Sequence, residues 1–351
     1  MTESHGITIF DIAREAEVSI ATVSRALGEK PNTASKKQKK VIEIAQKYNY
    51  KPSLAAGGLN RGRTQLLGIV MPEILHPFYC EVFNAAAAEA RTREYSVVFH
   101  RIADGDEGYQ SFLDLLIRQR PDGLMLAGGL VENAKGPSKL QFLQHLQKYM
   151  PVVILGQSVE GFICPCVSID LAEATRASVR HLDSLGHKRI AFIGGDPINR
   201  SSGERESGYY EEMRRLGLDA DYYEHHEGGY SPLDGEIGVV KLLTRLRREQ
   251  WPTAIIAIND LVALGAIRQL IRMGLRVPDD MAVVGCDNHF YGAYVNPPLT
   301  TVDLGTVDAA RAAMMLLLDP PAMGTESLVH RREPALIVRE SCGAKLGRRH
   351  G

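Results

Sequence analysis

The chain has 351 residues, of which 44% are hydrophobic and 24% charged, and a formal net charge of −1. That length suits two or three domains, and the composition excludes a disordered or low-complexity chain. No run approaches the ~18 uninterrupted apolar residues of a membrane span, and the start lacks the basic-then-apolar pattern of a secretion signal, so a cytoplasmic location without membrane attachment is expected.

The near-neutral total hides an asymmetry. Residues 1–65 carry 11 Lys and Arg against 6 Asp and Glu, and the remainder carries 30 against 36. Opposite signs imply two tasks, the basic segment being suited to nucleic acid. In that segment Thr8 is placed to cap a helix with Asp11 at its third position and Ile9, Ile12, Ala13 and Ala16 on one face. After Glu17-Val18, Ser19 can cap a second helix, Ile20 to Leu27, with Val23 and Leu27 inward and Val18 beneath. A capping-box pattern, Ser35-Lys36-Lys37-Gln38, opens a third helix with Val41, Ile44, Ala45 and Tyr48 at helical spacing. Three short helices with a tight first turn make a helix-turn-helix unit. Thr22, Ser24 and the cluster Lys36, Lys37, Lys39 and Lys40 are then candidates for phosphate contact. Ile20, Ala21 and Arg25 are candidates for base edges, Arg25 being able to pair with guanine. Taken alone, the lysines also read as a solvated face.

Asp11-Ile12-Ala13, Ala16, Val18-Ser19 and Thr22-Val23-Ser24-Arg25 closely resemble the head of the LacI-type family of bacterial transcription regulators. The resemblance implies a near-palindromic double-stranded DNA operator whose major groove is read by Ile20, Ala21 and Arg25. Thr8, Ser19, Thr22, Ser24, Lys36 and Lys37 would complete the contacts. It also likens the stretch after Tyr50-Lys51-Pro52 to a hinge helix that orders on DNA, with Ala55 and Ala56 on it and Leu59 pushed into the minor groove. Two departures stand out. Glu17 replaces the usual turn glycine and is forced to positive φ, while Gly57-Gly58 weakens the hinge helix by roughly 1 kcal/mol per glycine, which leaves a flexible linker as the alternative.

From Leu66 short apolar runs alternate with longer amphipathic stretches. Strands are predicted at Leu67–Met71, Ser96–His100, Gly123–Leu126, Val152–Leu155, Arg189–Ile193, Ala254–Ile258 and Met281–Gly285, with a restart near Val167-Ser168-Ile169-Asp170. This is the pattern of an α/β chain with two doubly wound lobes and a ligand cleft at the carboxyl ends of the strands. The expected division is a head at 1–50, a hinge at 51–64, a sensor at 65–342 and a basic tail at 343–351. Within the sensor, lobe one is expected at about 65–163 and 303–322, and lobe two at about 164–302 and 323–342.

His76 and Phe78 follow the first strand, Arg205 lies beyond the glycine-rich exit Gly194-Gly195, and Asn259-Asp260 and Asp287 end two later strands. Charged and amide groups beside an aromatic ring suit a polyhydroxylated ligand. Each alone also reads as a cap or a surface pair, Asp260 in particular as the cap of the helix that follows. Arg205-Glu206-Ser207-Gly208-Tyr209, Asn259-Asp260-Leu261-Val262, Val284-Gly285-Cys286-Asp287 and Pro297-Pro298-Leu299-Thr300-Thr301 resemble the effector lobes of the same family, whose sensor has the periplasmic sugar-binding-protein fold. The resemblance implies a small-molecule effector, a sugar, held by Arg205, Asn259 and Asp287 with Phe78, His76, Gln157 and Asp260. Gly156-Gln157-Ser158 and Thr306 depart from residues common in relatives.

No nucleophile elbow, phosphate loop or His-Glu-x-x-His motif is present, His225-His226-Glu227 has the wrong spacing for zinc, and Asp104-Gly105-Asp106-Glu107-Gly108 reads as a turn rather than a calcium loop. Neither catalysis nor a metal or cofactor is expected. The five cysteines are expected as buried thiols, Cys164-Pro165-Cys166 lacking the spacing of a zinc or redox pair. No apolar heptads follow Glu340, so a homodimer is expected. A cytoplasmic sugar-binding sensor and a DNA-binding dimer without effector response are the alternatives.

Overall fold

The computed structural model describes residues 7–28, 35–50, 63–102, 106–128, 137–196, 199–220, 222–224, 229–320 and 329–344. The hinge candidates Ala55, Ala56 and Leu59, the Gly57-Gly58 pair, and His225-His226-Glu227 lie outside these residues. Among the described residues no helix is long and apolar enough to cross a membrane.

The head contains α1 (Ile9–Ala16), α2 (Ile20–Gly28) and α3 (Lys36–Lys47). Thr8 and Asp11 cap α1 reciprocally: the Thr8 N–H donates to Asp11 Oδ2 at 2.9 Å, and the Asp11 N–H to Thr8 Oγ1 at 3.4 Å. Glu17 does adopt left-handed backbone, φ 58, which lets the Val18 N–H close back on the Ala13 carbonyl at 3.1 Å and turns the chain into α2. Ile12, Ala13, Ala16, Val23, Ala26, Val41 and Ile44 form the core. Two details differ from the periodicity. Tyr48 ends α3 half-exposed, because Asn49 takes φ 49 and swings Tyr50 onto the core in its place. Ala26 is buried beside Val23, its small side chain sitting where α2 meets its neighbours.

The remaining chain contains β1 (Leu66–Val70), α4 (Pro77–Arg91), β2 (Ser96–His100), α5 (Asp106–Gln119), β3 (Gly123–Ala127), α6 (Pro137–Leu146), β4 (Val152–Leu155) and β5 (Cys166–Ile169). Then come α7 (Leu171–Ser184), β6 (Ile190–Ile193), α8 (Arg200–Arg215), β7 (Tyr223–Glu224), α9 (Pro232–Arg245), β8 (Ala254–Ala257), α10 (Asp260–Arg272) and β9 (Ala282–Val284). It closes with β10 (Thr301–Asp303), α11 (Thr306–Leu318), β11 (Val329–Arg332) and β12 (Ala335–Ile337).

The strands form a six-stranded sheet in the order β11-β5-β4-β3-β1-β2 and a four-stranded sheet in the order β7-β6-β8-β9. In the first sheet successive residues point to opposite cores: Ile69, Met71, Met125, Val153 and Leu155 pack under α4 and α11, while Val70, Leu124, Leu126, Val152 and Ile154 pack with Phe112 and Phe142. Burial on both faces is why these strands read as continuous apolar runs. The second sheet has its own core, built on Phe192, Tyr209, Ile255 and Val283.

Lobe one is larger than expected. Cys166–Ile169 and Val329–Arg332 had been placed in lobe two, but β5 continues the parallel ladder from β4, with Ile154 opposite Cys166, and β11 pairs with β5. The apparent restart near Val167 is therefore the last strand before the chain leaves for the second lobe, not the first strand of that lobe. Among the described residues the chain crosses between lobes three times: after β5, between β9 and α11, and between β11 and the segment beyond β12. The antiparallel pair β10 and β12, with Thr301 opposite Ile337, joins two of these crossings.

Candidate ligand cleft and DNA-reading head

In the head, Ser19 accepts from the Thr22 N–H at 3.3 Å and its hydroxyl meets Thr22 Oγ1 at 3.0 Å, fixing the start of α2. Ile20 is 41% exposed there, an apolar side chain that the head's core does not use. Ala21 and Arg25 are also exposed, and the Arg25 Nε–H folds back onto the Ala21 carbonyl at 3.3 Å. Lys36, Lys37 and Lys39 are exposed on the first turn of α3, and Lys40 lies 4.0 Å from Glu17. A short helix thus presents apolar, small and guanidinium side chains beside a lysine-rich turn.

The cleft is built where strands end. His76 follows β1 and caps α4, its Nδ1 accepting from the Phe78 N–H at 3.3 Å, with Pro77 in the first helical turn where a missing N–H costs nothing. Burial holds this imidazole below its usual pKa. Phe78 is half-buried, edge-on to Tyr79 at 5.2 Å between ring centres. On the opposite lobe Asn259 caps α10 by accepting from the Val262 N–H at 2.8 Å. Its amide nitrogen donates to the Tyr230 carbonyl at 3.0 Å and lies 3.3 Å from His76 Nε2, so it ties the two lobes together.

Asp287 stands at the end of β9 with φ 112, a left-handed strain that a non-glycine residue keeps only when its surroundings enforce it. Its N–H donates to the Val302 carbonyl at 2.9 Å. Its carboxylate lies 3.9 Å from the Arg205 guanidinium and 3.4 Å from His289 Nε2, all three side chains being buried. His289 Nδ1 in turn meets Glu81 of α4 at 2.9 Å. Although burial opposes the charge, these two carboxylates lift His289 to about 10. Alternating charges therefore run from Glu81 in lobe one through His289 and Asp287 to Arg205 in lobe two. Burial pushes the Cys286 thiol up to about 12, so it is inert.

Asp260 does not cap α10. It is fully buried, Thr301 Oγ1 donating to one oxygen at 2.5 Å and the His289 N–H to the other at 2.8 Å. A Cβ at position 285 would stand 2.3 Å from Asp260 Oδ1, which explains the glycine in Val284-Gly285-Cys286-Asp287. Both oxygens are thus committed to protein, in contrast with the effector contact expected of this residue. Gln157 reaches across the lobes and donates to Glu204 at 2.9 Å, and Arg200 donates to the Ser158 carbonyl at 2.7 Å. The sequence reading missed His289 and Glu81; their contact spans 208 positions and no local spacing signals it.

Burial and the nearby Asp287 charge raise Asp260 to about 7. Between about pH 4 and 7 the folded protein therefore retains a proton that the unfolded chain has released, and stability falls as pH rises across that window. Asp260→Asn keeps an acceptor for the His289 N–H and offers a donor to Thr301. It should flatten this slope in urea melts at pH 5 and 6 while leaving the separate loss between about pH 6.5 and 10 from His289.

Comparisons agree with these two parts. Residues 8–53 match the family model for bacterial regulatory proteins of the lacI family, and residues 179–342 match that for a periplasmic binding protein-like domain. Catabolite control protein A of Priestia megaterium is 32% identical over 315 residues, covering 89% of this chain and 91% of its own. The HTH-type transcriptional repressor CytR of Escherichia coli K12 is 30% identical over 315 residues, covering 89% of each chain. Among solved structures, a lac repressor dimer bound to operator and an anti-inducer has a TM-score of 0.83 at 25% identity, covering 97% of this chain and all of its own. The complex of the regulator CelR with cellobiose has a TM-score of 0.70 at 26% identity, covering 95% of this chain and 99% of that one. These relatives are transcription regulators, and the chain belongs to the LacI family of DNA-binding bacterial transcription regulators.

Proposed function

We propose that this regulator works as a cytoplasmic homodimeric repressor, its two heads on adjacent half-sites of a near-palindromic operator, controlled by a sugar-like effector in the cleft. The observation that carries the reading is the buried Arg205–Asp287 pair, whose opposite charges stand 3.9 Å apart beside the lobe-bridging residues, a charged donor and a charged acceptor of the kind that recognise one ligand hydroxyl together. Asn259 and His76 meet beside it across the lobes. The dimer on operator and the cellobiose complex among its structural relatives support both halves of the reading. The cleft is given a binding role and no turnover.

Effector binding would change the closure of the two lobes. Contacts that bridge them, Asn259 to His76, His289 to Glu81, Gln157 to Glu204 and Arg200 to Ser158, are the ones that closure makes or breaks. Because the three crossings connect these lobes, a ligand that favours one closure state shifts operator affinity by its differential affinity for the two states, typically 1–3 kcal/mol.

In the head, Arg25→Ala should lower affinity for a selected operator by about 10- to 100-fold while barely changing affinity for random DNA. Lys37→Ala should weaken both alike and reduce the salt slope by about 1. Selection of bound DNA from a random pool followed by gel shifts at several salt concentrations tests both. Equal affinity of the unmodified protein for selected and random DNA would sink the reading.

A further inference from the structure

Beside the cleft, and sharing Glu81 and Asp287 with it, lies a recess of about 580 Å³ set among the crossings. Among the described residues lining it, Arg339 is the one cation against Glu81, Asp287, Asp303, Asp308 and Glu333. Glu81 and Asp287 already face the protonated His289, and Arg311 lies 3.8 Å from Asp308. Asp303 is held by neutral donors, the Gly305 N–H at 2.7 Å and the Asn288 amide at 3.1 Å. Arg339 is turned to neutral acceptors, the Leu299 carbonyl at 2.7 Å and Asn288 Oδ1 at 2.8 Å, so its guanidinium does not offset the carboxylates in contact. The lining retains an excess of negative charge.

A second observation is independent of charge. Thr306 lines the recess, is 4% exposed, and its Oγ1 finds no hydrogen-bond partner among the described residues. A buried hydroxyl without a partner is costly unless a ligand supplies one. Phe290 and Tyr294, 78% and 85% exposed, add aromatic faces to the same lining, of the kind that stack on the C–H face of a sugar ring.

We infer that the recess extends the effector site and selects a hydroxyl-rich ligand carrying a protonated amine, an amino sugar, over a phosphorylated or acidic sugar. This rests on the cleft being the effector site. A ligand hydroxyl would satisfy Thr306 Oγ1, while an ammonium group would lie among the carboxylates around Asp303 and Glu333. A phosphate would face the same carboxylates, and among the described lining residues the one cation, Arg339, is turned to neutral acceptors.

The test is titration calorimetry on the full-length protein with matched sets of hexoses, their 2-amino derivatives and their 6-phosphates. At least one amino sugar should bind about tenfold or more tightly than its parent sugar, and the phosphates more weakly than the parents. Thr306→Val should lower amino-sugar affinity several-fold, and Glu333→Gln should shrink the preference over the parent sugar without affecting gel shifts on the selected operator. A phosphorylated sugar binding as well as its amine counterpart, or no amino sugar binding at 10-millimolar concentration (on the order of the weakest useful affinity), overturns the inference. Sequence-selective DNA binding that persists in that case leaves the regulator reading standing; neutral sugars binding through Arg205 and Asp287 would leave the cleft standing as well.

Discussion

Arg205→Ala is expected to cripple the effector response: ligand affinity should fall by about 10- to 100-fold, with operator binding retained and far less altered by effector. Arg205 and Asp287 are both buried and oppositely charged, and removing the guanidinium takes away the charged donor proposed for a ligand hydroxyl, a charge-assisted hydrogen bond worth about 1.5–3 kcal/mol. Asp287 keeps His289 at 3.4 Å, so the fold survives and the loss falls on recognition. Arg205→Lys separates charge from geometry. A lysine restores the positive charge but not the planar fork that holds a hydroxyl and a carboxylate at once, so it should recover most of the thermal stability and little of the affinity. Calorimetry with a bound ligand, paired with gel shifts, reads both. An Arg205→Ala protein that binds effector normally would remove Arg205 from the site.

Replacing Gly265 by alanine should destabilise the second lobe by about 3 kcal/mol, at the upper end of overpacking costs. Helices α9 and α10 cross there backbone against backbone. A Cβ on Gly265 would lie 1.8 Å from the Pro232 carbonyl oxygen, and one on Gly235 would lie 2.1 Å from that of Val262. Neither obstacle is a side chain that can rotate away, so the helices must separate and strip contacts from Val239, Val262 and Ala266 in the core. The same substitution at Gly203 should have the opposite sign. Gly203 sits exposed within α8, nothing lies within 4 Å of an added Cβ, and alanine there should stabilise by about 0.5–1 kcal/mol through the entropy of the unfolded chain. Thermal melts should move the two variants in opposite directions, Gly265→Ala down by roughly 6–12 °C. Shifts of the same sign would contradict the crossing geometry.

What lay in the sequence by itself was much of what is governed by interactions three or four residues apart. The reciprocal capping of Thr8 with Asp11 and of Ser35 with Gln38, the left-handed Glu17 and the cap at Ser19 all appear where local chemistry places them. Strands β1 to β4, β6, β8 and β9 were equally legible, since burial on both faces leaves an uninterrupted apolar run, whereas β7, β10, β11 and β12 did not stand out as strands. Arg205, Asn259, Asp287 and His76 could be singled out because strand ends in such folds converge, and they do meet across one cleft.

Tertiary structure alone decided how strands are shared and how charges are balanced. Whether Cys166–Ile169 joins the first or the second sheet depends on which ladder has an open edge, and an apolar run does not carry that information; Val329-His330-Arg331-Arg332 has no apolar run to mark it as a strand at all. Tyr48 and Tyr50 exchange roles because one left-handed residue, Asn49, redirects the chain by a single step. Asp260 read as a helix cap because it follows a strand and precedes a helix, yet its neighbour Asn259 takes the cap and Asp260 turns to Thr301 and the His289 N–H. Its raised pKa comes from burial and the Asp287 charge, and the locked proton on His289 from Asp287 and from Glu81, far away in the chain, because Coulomb energy depends on distance in space rather than along the sequence.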